Sequence, residues 1–388
     1  PHKAIMRYIL HYTNPGEIVF DGFCGTGMTG VAAQMCGDRA SVESLGYRVL
    51  PNGEILEKIA ESKGGNKWSS FSKIGARVPL LNDLSSLATF VAHNYNKKLK
   101  YSFEEESQAV LENLKDEYAW LYETEHVGGG KGEVNYVIWS DVFNCPECGD
   151  EIIFWDSALD HSAGKVKSSF NCHSCGVELN KKNLERAWET VFDLTLGKSI
   201  QRARQKPVVI NYSMEGIRGR FEKSPDENDL NIIREAESAT DISWHPINGL
   251  PYGYNTEQPR KSHGTTHTHH FYTRRNLRIL SKYRELIRGC VNFHELLFAF
   301  TSAHQYVNRL CRLHVGNHFN KKGGTVDKPL EGTLYLPSIS LEVNPISRLT
   351  LRSRLRKSLL QKGECYTSMG SCSNVKLRSN SLDYIFLD

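Results

Sequence analysis

Ile5, Met6, Ile9 and Leu10 recur at helical spacing, so residues 4–11 predict a helix. Asn14-Pro15-Gly16 reads as a turn, and Glu17-Ile18-Val19-Phe20-Asp21 as a short buried strand. Glycines at 22, 25, 27 and 30 follow, and residues 31–35 read as the start of a second helix. Helix, strand, glycine-rich turn and helix form the first unit of a nucleotide-type α/β fold. Residues 37–74 are polar and rich in Gly, Ser and Lys, which predicts a loop-like excursion. Order resumes at residues 77–83, a second strand ending in an acid. A helix follows from Ser85 through Leu87, Ala88, Val91 and Ala92. Residues 103–124 predict an acidic amphipathic helix with Val110, Leu111, Leu114, Tyr118 and Leu121 on one stripe, ended by Gly128-Gly129-Gly130. Residues 212–270 carry little periodic signal, 274–315 look helical and basic, 332–347 look extended, and 384–387 predict a last strand.

At 388 residues the chain has room for two or three domains, and 39% hydrophobic with 24% charged residues excludes disorder throughout. No apolar run approaches the roughly 18 residues of a membrane span, and no signal peptide opens the chain. The sequence opens on Pro1 and closes on an apolar run tipped by Asp388, which reads as a fragment clipped at both ends. The net charge of +4 conceals an asymmetry. Residues 1–257 hold 27 Lys/Arg against 36 Asp/Glu, a net of −9; residues 258–388 hold 21 against 8, a net of +13. A basic final third points to a polyanionic partner. Ten cysteines without a secretion signal point to a reducing cytoplasm.

Glycines at 25 and 27 would let the backbone approach a ligand closely, and the helix start after Thr29 offers free N–H groups. Asp83, at the tip of the next strand, is placed to accept hydrogen bonds from ribose hydroxyls. The gap to it is much longer than the usual spacing of about 20 residues. Cys145-Pro-Glu-Cys148-Gly and Cys172-His-Ser-Cys175-Gly are two knuckles whose four thiolates suit a closed, structural zinc site. Trp155 and Phe170 are candidates to pack the ribbon. His173 is a weaker ligand candidate than its flanking cysteines. His263, His267, His269 and His270 cluster without a neighbouring acid or Cys, and read as solvated or base-contacting. Residues 271–277 interleave aromatics with Arg274 and Arg275, and Arg348, Arg352, Arg354, Arg356 and Lys357 form a second basic cluster. Arg274, Arg275, Arg352 and Arg354 are therefore the expected DNA contacts, mostly to phosphate.

The block Asp21-Gly-Phe-Cys-Gly-Thr-Gly-Met-Thr-Gly30 resembles motif I of the amino-group DNA methyltransferases, D-P-F-x-G-x-G-T-T, with Gly22 for Pro and Met28 for Thr. The order of features resembles the adenine-specific DNA methylases that carry a zinc ribbon. Supporting blocks are Leu81-Asn82-Asp83-Leu84-Ser85, Asn94-Tyr95-Asn96 and Val137-Ile138-Trp139-Ser140-Asp141. The resemblance implies an α/β, Rossmann-like S-adenosylmethionine-dependent core, split by an inserted zinc-ribbon and target-recognition region and truncated at its C-terminus. Asp21, Phe23, Cys24, Gly25, Thr26, Gly27, Thr29 and Asp83 would hold S-adenosylmethionine. Ser371, where the family commonly has Asp, would lie near its adenine. Asp388 would be the first residue of the catalytic D-P-P-Y/F motif, leaving the fragment inactive alone. Its carboxylate would accept an N–H of the exocyclic amine on a base extruded from the duplex.

The implied organisation is a first core part (1–100), an acidic helical connector (101–136), a zinc ribbon (137–182), a DNA-binding insertion (183–347) and a return to the core (348–388). The implied activity is transfer of a methyl group to N6 of a flipped adenine in double-stranded DNA. N4-cytosine or RNA amino-methylation and a non-catalytic zinc-ribbon DNA-binding subunit are the alternatives. The implied setting is a prokaryotic or phage cytoplasm, in restriction–modification or phage defence with partner proteins of unknown identity.

Overall fold

The computed structural model describes residues 1–60, 66–99, 102–357 and 364–387. The chain is mixed α/β and divides into two compact units, one of residues 1–104 with 355–388 and one of residues 105–354. Principal elements are labelled in chain order.

The first unit opens with helix α1 (His2–Tyr12), which buries Ile5, Met6, Ile9 and Leu10, the four residues at helical spacing. Strand β1 (Ile18–Asp21), helix α2 (Met28–Met35), strand β2 (Val78–Asp83) and helix α3 (Ser86–Asn96) follow. The Ser85 side chain caps α3 by accepting the Ala88 N–H. β1 and β2 pair in parallel, flanked by strands Tyr366–Met369 beside β2 and Tyr384–Ile385 beside β1. By chain order the sheet runs third, second, first, fourth, so its connections diverge at β1. Parallel sheets of this order offer a crevice beyond the carboxyl ends of their strands.

The polar excursion is a helix (Arg39–Glu43) and a three-stranded antiparallel sheet (Arg48–Val49, Glu54–Ala60, Asn66–Lys73), not a loop. Its few apolar anchors, such as Ile55 and Phe71, give no readable period, and pairing between strands satisfies its backbone instead. Arg77, 1% exposed, locks the return, bonding the Thr13 carbonyl and hydroxyl and the carbonyls of Lys73 and Gly75.

The second unit is built on the 14-residue strand β3 (Lys131–Asn144). It pairs antiparallel with β4 (Gln205–Met214) and β5 (Ile339–Val343) within a sheet of nine strands among the described residues. The acidic helix runs Phe103–Tyr118, and a 3₁₀ turn and the strand Glu123–Glu125 follow it. Gly128-Gly129-Gly130 therefore turn a hairpin into β3 and do not end the helix. Within the weakly periodic stretch lie the strand Ile217–Lys223, the helix α4 (Glu227–Ser238) with an Asp226/Asp229 capping box, and the helix Tyr254–His263. Helices α5 (Arg274–Ile287) and α6 (Phe293–Ala303) account for the expected helical stretch only as far as Ala303, since Arg312–Leu313 is a strand of the large sheet, and α7 (Pro345–Lys357) follows β5 directly. Trp155, Phe170, Cys145 and Cys172 share one buried cluster with Ile138, Leu341 and Val343 of the large sheet, so the knuckles have no separate core.

Candidate cofactor cradle and metal centres

At the end of β1 the chain turns sharply. Asp21 is buried and accepts the Phe23 N–H and the Thr29 hydroxyl, which ties the turn to the start of α2. Asp83, 62 residues further along the chain, closes the other side. One carboxylate oxygen accepts the Gly25 N–H at 2.9 Å and the other accepts the Ser85 N–H at 2.9 Å. Gly25 and Gly27 both have left-handed backbones, with φ of +50° and +79°. Their surroundings differ. A Cβ on Gly27 would sit 2.7 Å from Ala92 Cβ and 2.7 Å from Asn96 Nδ2, against α3. A Cβ on Gly25 would meet nothing within 4 Å. Gly25 is thus the residue at the open cradle, whereas Gly27 permits helix packing. The motif therefore divides: Asp21, Cys24, Gly27 and Thr29 turn inward and build the turn, while Phe23 and Thr26 are exposed beside Gly25. Burial pushes the Cys24 thiol up to about 12, so it stays protonated.

Two asparagines complete the cradle. Asn96, fully buried, donates to the Gly27 carbonyl and receives the Gln34 amide. Asn82 donates to the Gly370 carbonyl and accepts the Ser368 hydroxyl, joining β2 to strand Tyr366–Met369. The resemblance pointed to both residues without giving them a task. Ser371 follows that strand, is exposed, and caps a short turn by accepting the Ser373 N–H. Asp388 lies outside the described residues, as do the side chains of Arg356 and Lys357.

The knuckles are near copies. Gly149 N–H bonds the Cys145 carbonyl at 2.9 Å and Gly176 N–H the Cys172 carbonyl at 3.0 Å, and both glycines have φ of +75°. Cys145 and Cys175 sulfurs are 3.7 Å apart, and Cys148 and Cys172 sulfurs 3.8 Å. A tetrahedron with metal–sulfur bonds of about 2.3 Å has edges of about 3.8 Å, so the four thiols fit one tetrahedral ion. Backbone N–H groups of Cys175 and Ser174 hold the Cys172 thiol down to about 6, ready to ionise. His173 faces outward, with Nε2 3.1 Å from Asp150.

Of the four clustered histidines, His267 is half-buried beside the Thr266 hydroxyl, and the other three are withdrawn from solvent. His263 is 1% exposed, and its Nε2 lies 3.3 Å from both Asp141 carboxylate oxygens. His269 and His270 place Nε2 at 2.9 and 2.8 Å from one oxygen of Asp193. The sequence-based expectation failed because their acid lies 76 residues earlier, on another hairpin. Burial pushes the Asp193 carboxyl up, but the two imidazoles outweigh it and hold it below the usual carboxylate range. Burial lowers His270 to about 4 despite Asp193. Asp193, His263, His269 and His270 line a cavity of about 720 Å³ with Trp139, Phe192 and Tyr272.

The four expected DNA arginines also separate. Arg275 is a correction: it is 5% exposed and forms an ion pair with Glu342, stacked over Tyr122. Glu342 further accepts the Trp139 N–H and the Thr273 hydroxyl. Arg275 is therefore a core residue and does not meet phosphate. Arg274 is half-buried in the cavity wall and donates to the Ala239 carbonyl. Arg352 lies over Tyr306 beside Arg348, and Arg354 is exposed.

A family model described as DNA methylase matches residues 1–49, which span α1, β1, the glycine turn and α2. No curated protein and no solved structure matches the chain. Among the described residues no helix is long and apolar enough to cross a membrane.

Proposed function

We propose that the chain carries the S-adenosylmethionine cradle of a DNA amino-methyltransferase that acts on N6 of a flipped adenine. The match to the DNA methylase family supports the reaction class and a DNA substrate. The observation that carries the reading is the junction of Gly25 and Asp83 at the carboxyl ends of two adjacent parallel strands. There an open, Cβ-free backbone lies beside a fixed carboxylate. S-adenosylmethionine supplies an electrophilic methyl group on a sulfonium. Gly25 would let its methionine part approach the turn. Asp83 would accept its ribose hydroxyls on the lone pairs left over from the Gly25 and Ser85 N–H groups. Exposed Phe23 and Thr26 would border it, and Ser371 stands beyond the neighbouring strand's end. In this reading the four cysteines hold one structural zinc ion, and exposed arginines such as Arg354 follow the phosphates of double-stranded DNA.

The test is calorimetry with S-adenosylmethionine on the full chain and on Gly25→Val. Binding by the parent and its loss in a folded Gly25→Val protein support the reading. Equal affinity in the two proteins removes Gly25 from the site. Incubation of the protein with DNA and cofactor separates the targets: N6-methyladenine supports the adenine reading, N4-methylcytosine the cytosine alternative. Cofactor-independent DNA binding with neither product supports a non-catalytic subunit.

A further inference from the structure

Asp193, His269 and His270 come from two separate segments and converge on one point. Asp193 ends the strand Trp188–Asp193, and both histidines belong to the 3₁₀ turn Thr268–Phe271. One oxygen of Asp193 is fixed by the N–H groups of Thr195 and Leu196 at 2.9 and 3.1 Å. The other is left to face the two imidazoles. All three donor atoms lie within 4.8 Å of one another, and the side chains are at most 9% exposed. Two imidazoles and one carboxylate on one side of a cavity are a ligand set for a divalent transition metal with positions open to solvent. Cis ligands of an octahedral ion, with bonds of about 2.1 Å, lie about 3.0 Å apart, against about 3.4 Å in a tetrahedron. The oxygen–nitrogen separations of 2.8 and 2.9 Å are hydrogen-bond lengths, and an ion between the atoms would widen them only slightly to either value.

A second observation concerns the proton. For an imidazole to ligate through Nε2, its proton must sit on Nδ1. His269 Nδ1 is buried without a hydrogen-bond partner, and the Asp193 carboxylate holds the proton on Nε2, so metal entry must move that proton to Nδ1. At His270 the Thr266 N–H approaches Nδ1 at 3.2 Å and favours the opposite tautomer, so metal entry must displace that contact. We infer that Asp193, His269 and His270 hold one divalent transition-metal ion in the cavity of the second unit. This ion is separate from any ion on the cysteines, and the site does not depend on the methyltransferase reading.

Mn²⁺ is the probe, because it disfavours thiolates and its free-ion electron paramagnetic resonance signal vanishes on binding. Titrated into the full chain with its cysteines loaded with zinc, one Mn²⁺ per chain should bind. Asp193→Asn keeps an oxygen to accept the Thr195 and Leu196 N–H groups, and should weaken Mn²⁺ binding by at least about a hundredfold with zinc content unchanged. His270→Gln should do the same. His267→Ala, a neighbour outside the ligand set, should leave it intact. Should Asp193→Asn fail to fold, the parent titration and His270→Gln decide. No loss of free Mn²⁺ signal in the parent, or equal affinity in parent and His270→Gln, overturns the inference and leaves a hydrogen-bonded Asp–His packing cluster.

Discussion

The two metal-type clusters of the second unit were built in opposite ways. Each cysteine pair lies on one tight turn, so local spacing brings its thiols together, and the chain must only juxtapose two such turns. The Asp193–His269–His270 cluster has only the His-His step in common with a local motif. Its acid arrives through the fold, and its orientation depends on two N–H groups within its own hairpin. The thiol pairs are formed locally, but their turns are anchored in the large sheet's core, so losing one thiol should disturb packing as well as the ion, whereas the geometry of the Asp193 cluster is set wholly by contact between distant segments.

The largest expected effect sharpens this contrast. Cys145→Ser should remove one equivalent of zinc and destabilise the second unit by several kcal/mol, because Cys145 and Cys172 sit in the large sheet's core. Elemental analysis and thermal melting measure both, and an unchanged melting point with zinc lost would show that the ribbon is not needed to hold the core. Next is Arg275→Ala, which strands the Glu342 carboxylate in the interior and should cost about 3–5 kcal/mol. Arg354→Ala, on an exposed site, should stay within about 0.5 kcal/mol. Urea titration of both variants tests whether the basic third mixes core and surface arginines; equal costs would break that distinction.

Asp141 gives a pH prediction. Burial raises its carboxyl, but the His263 hydrogen bond and charge, with Arg186 and Gln205, bring it down to about 2. A depressed carboxyl stabilises the fold above its unfolded value of about 3.9, and the contribution fades as pH falls from there through about 2. The loss should be about 2.6 kcal/mol. Asp141→Asn should flatten this acid limb of the stability curve, and an unchanged limb would assign it to other carboxylates. Two further variants separate the motif glycines. Gly27→Ala adds steric conflict with Ala92 to its left-handed strain and should cost about 2–3 kcal/mol, whereas Gly25→Ala bears only backbone strain of about 1 kcal/mol. Calorimetry should reverse the order for S-adenosylmethionine, with Gly25→Ala the more harmful in a folded protein.

Periodicity and turn chemistry made α1, β1, the glycine turn and the knuckles readable from the sequence, because each is set by residues within about ten positions. The helical basic stretch was readable as far as Ala303 for the same reason. The sheet of residues 48–73 was not, since few of its side chains are apolar and its stability lies in pairing between strands. Charge counting could not separate Arg275 from Arg354, because an arginine's burial depends on whether a distant acid such as Glu342 meets it. Likewise both glycines looked alike in the motif until α3 packed against one of them. The sequence by itself determined the local geometry of the turn and the thiol pairs. Only the tertiary structure decided which glycine faces open space, which arginine is core, and that Asp193 joins the histidines. Those outcomes depend on which surfaces meet, and contacts between segments far apart in the chain leave no local pattern.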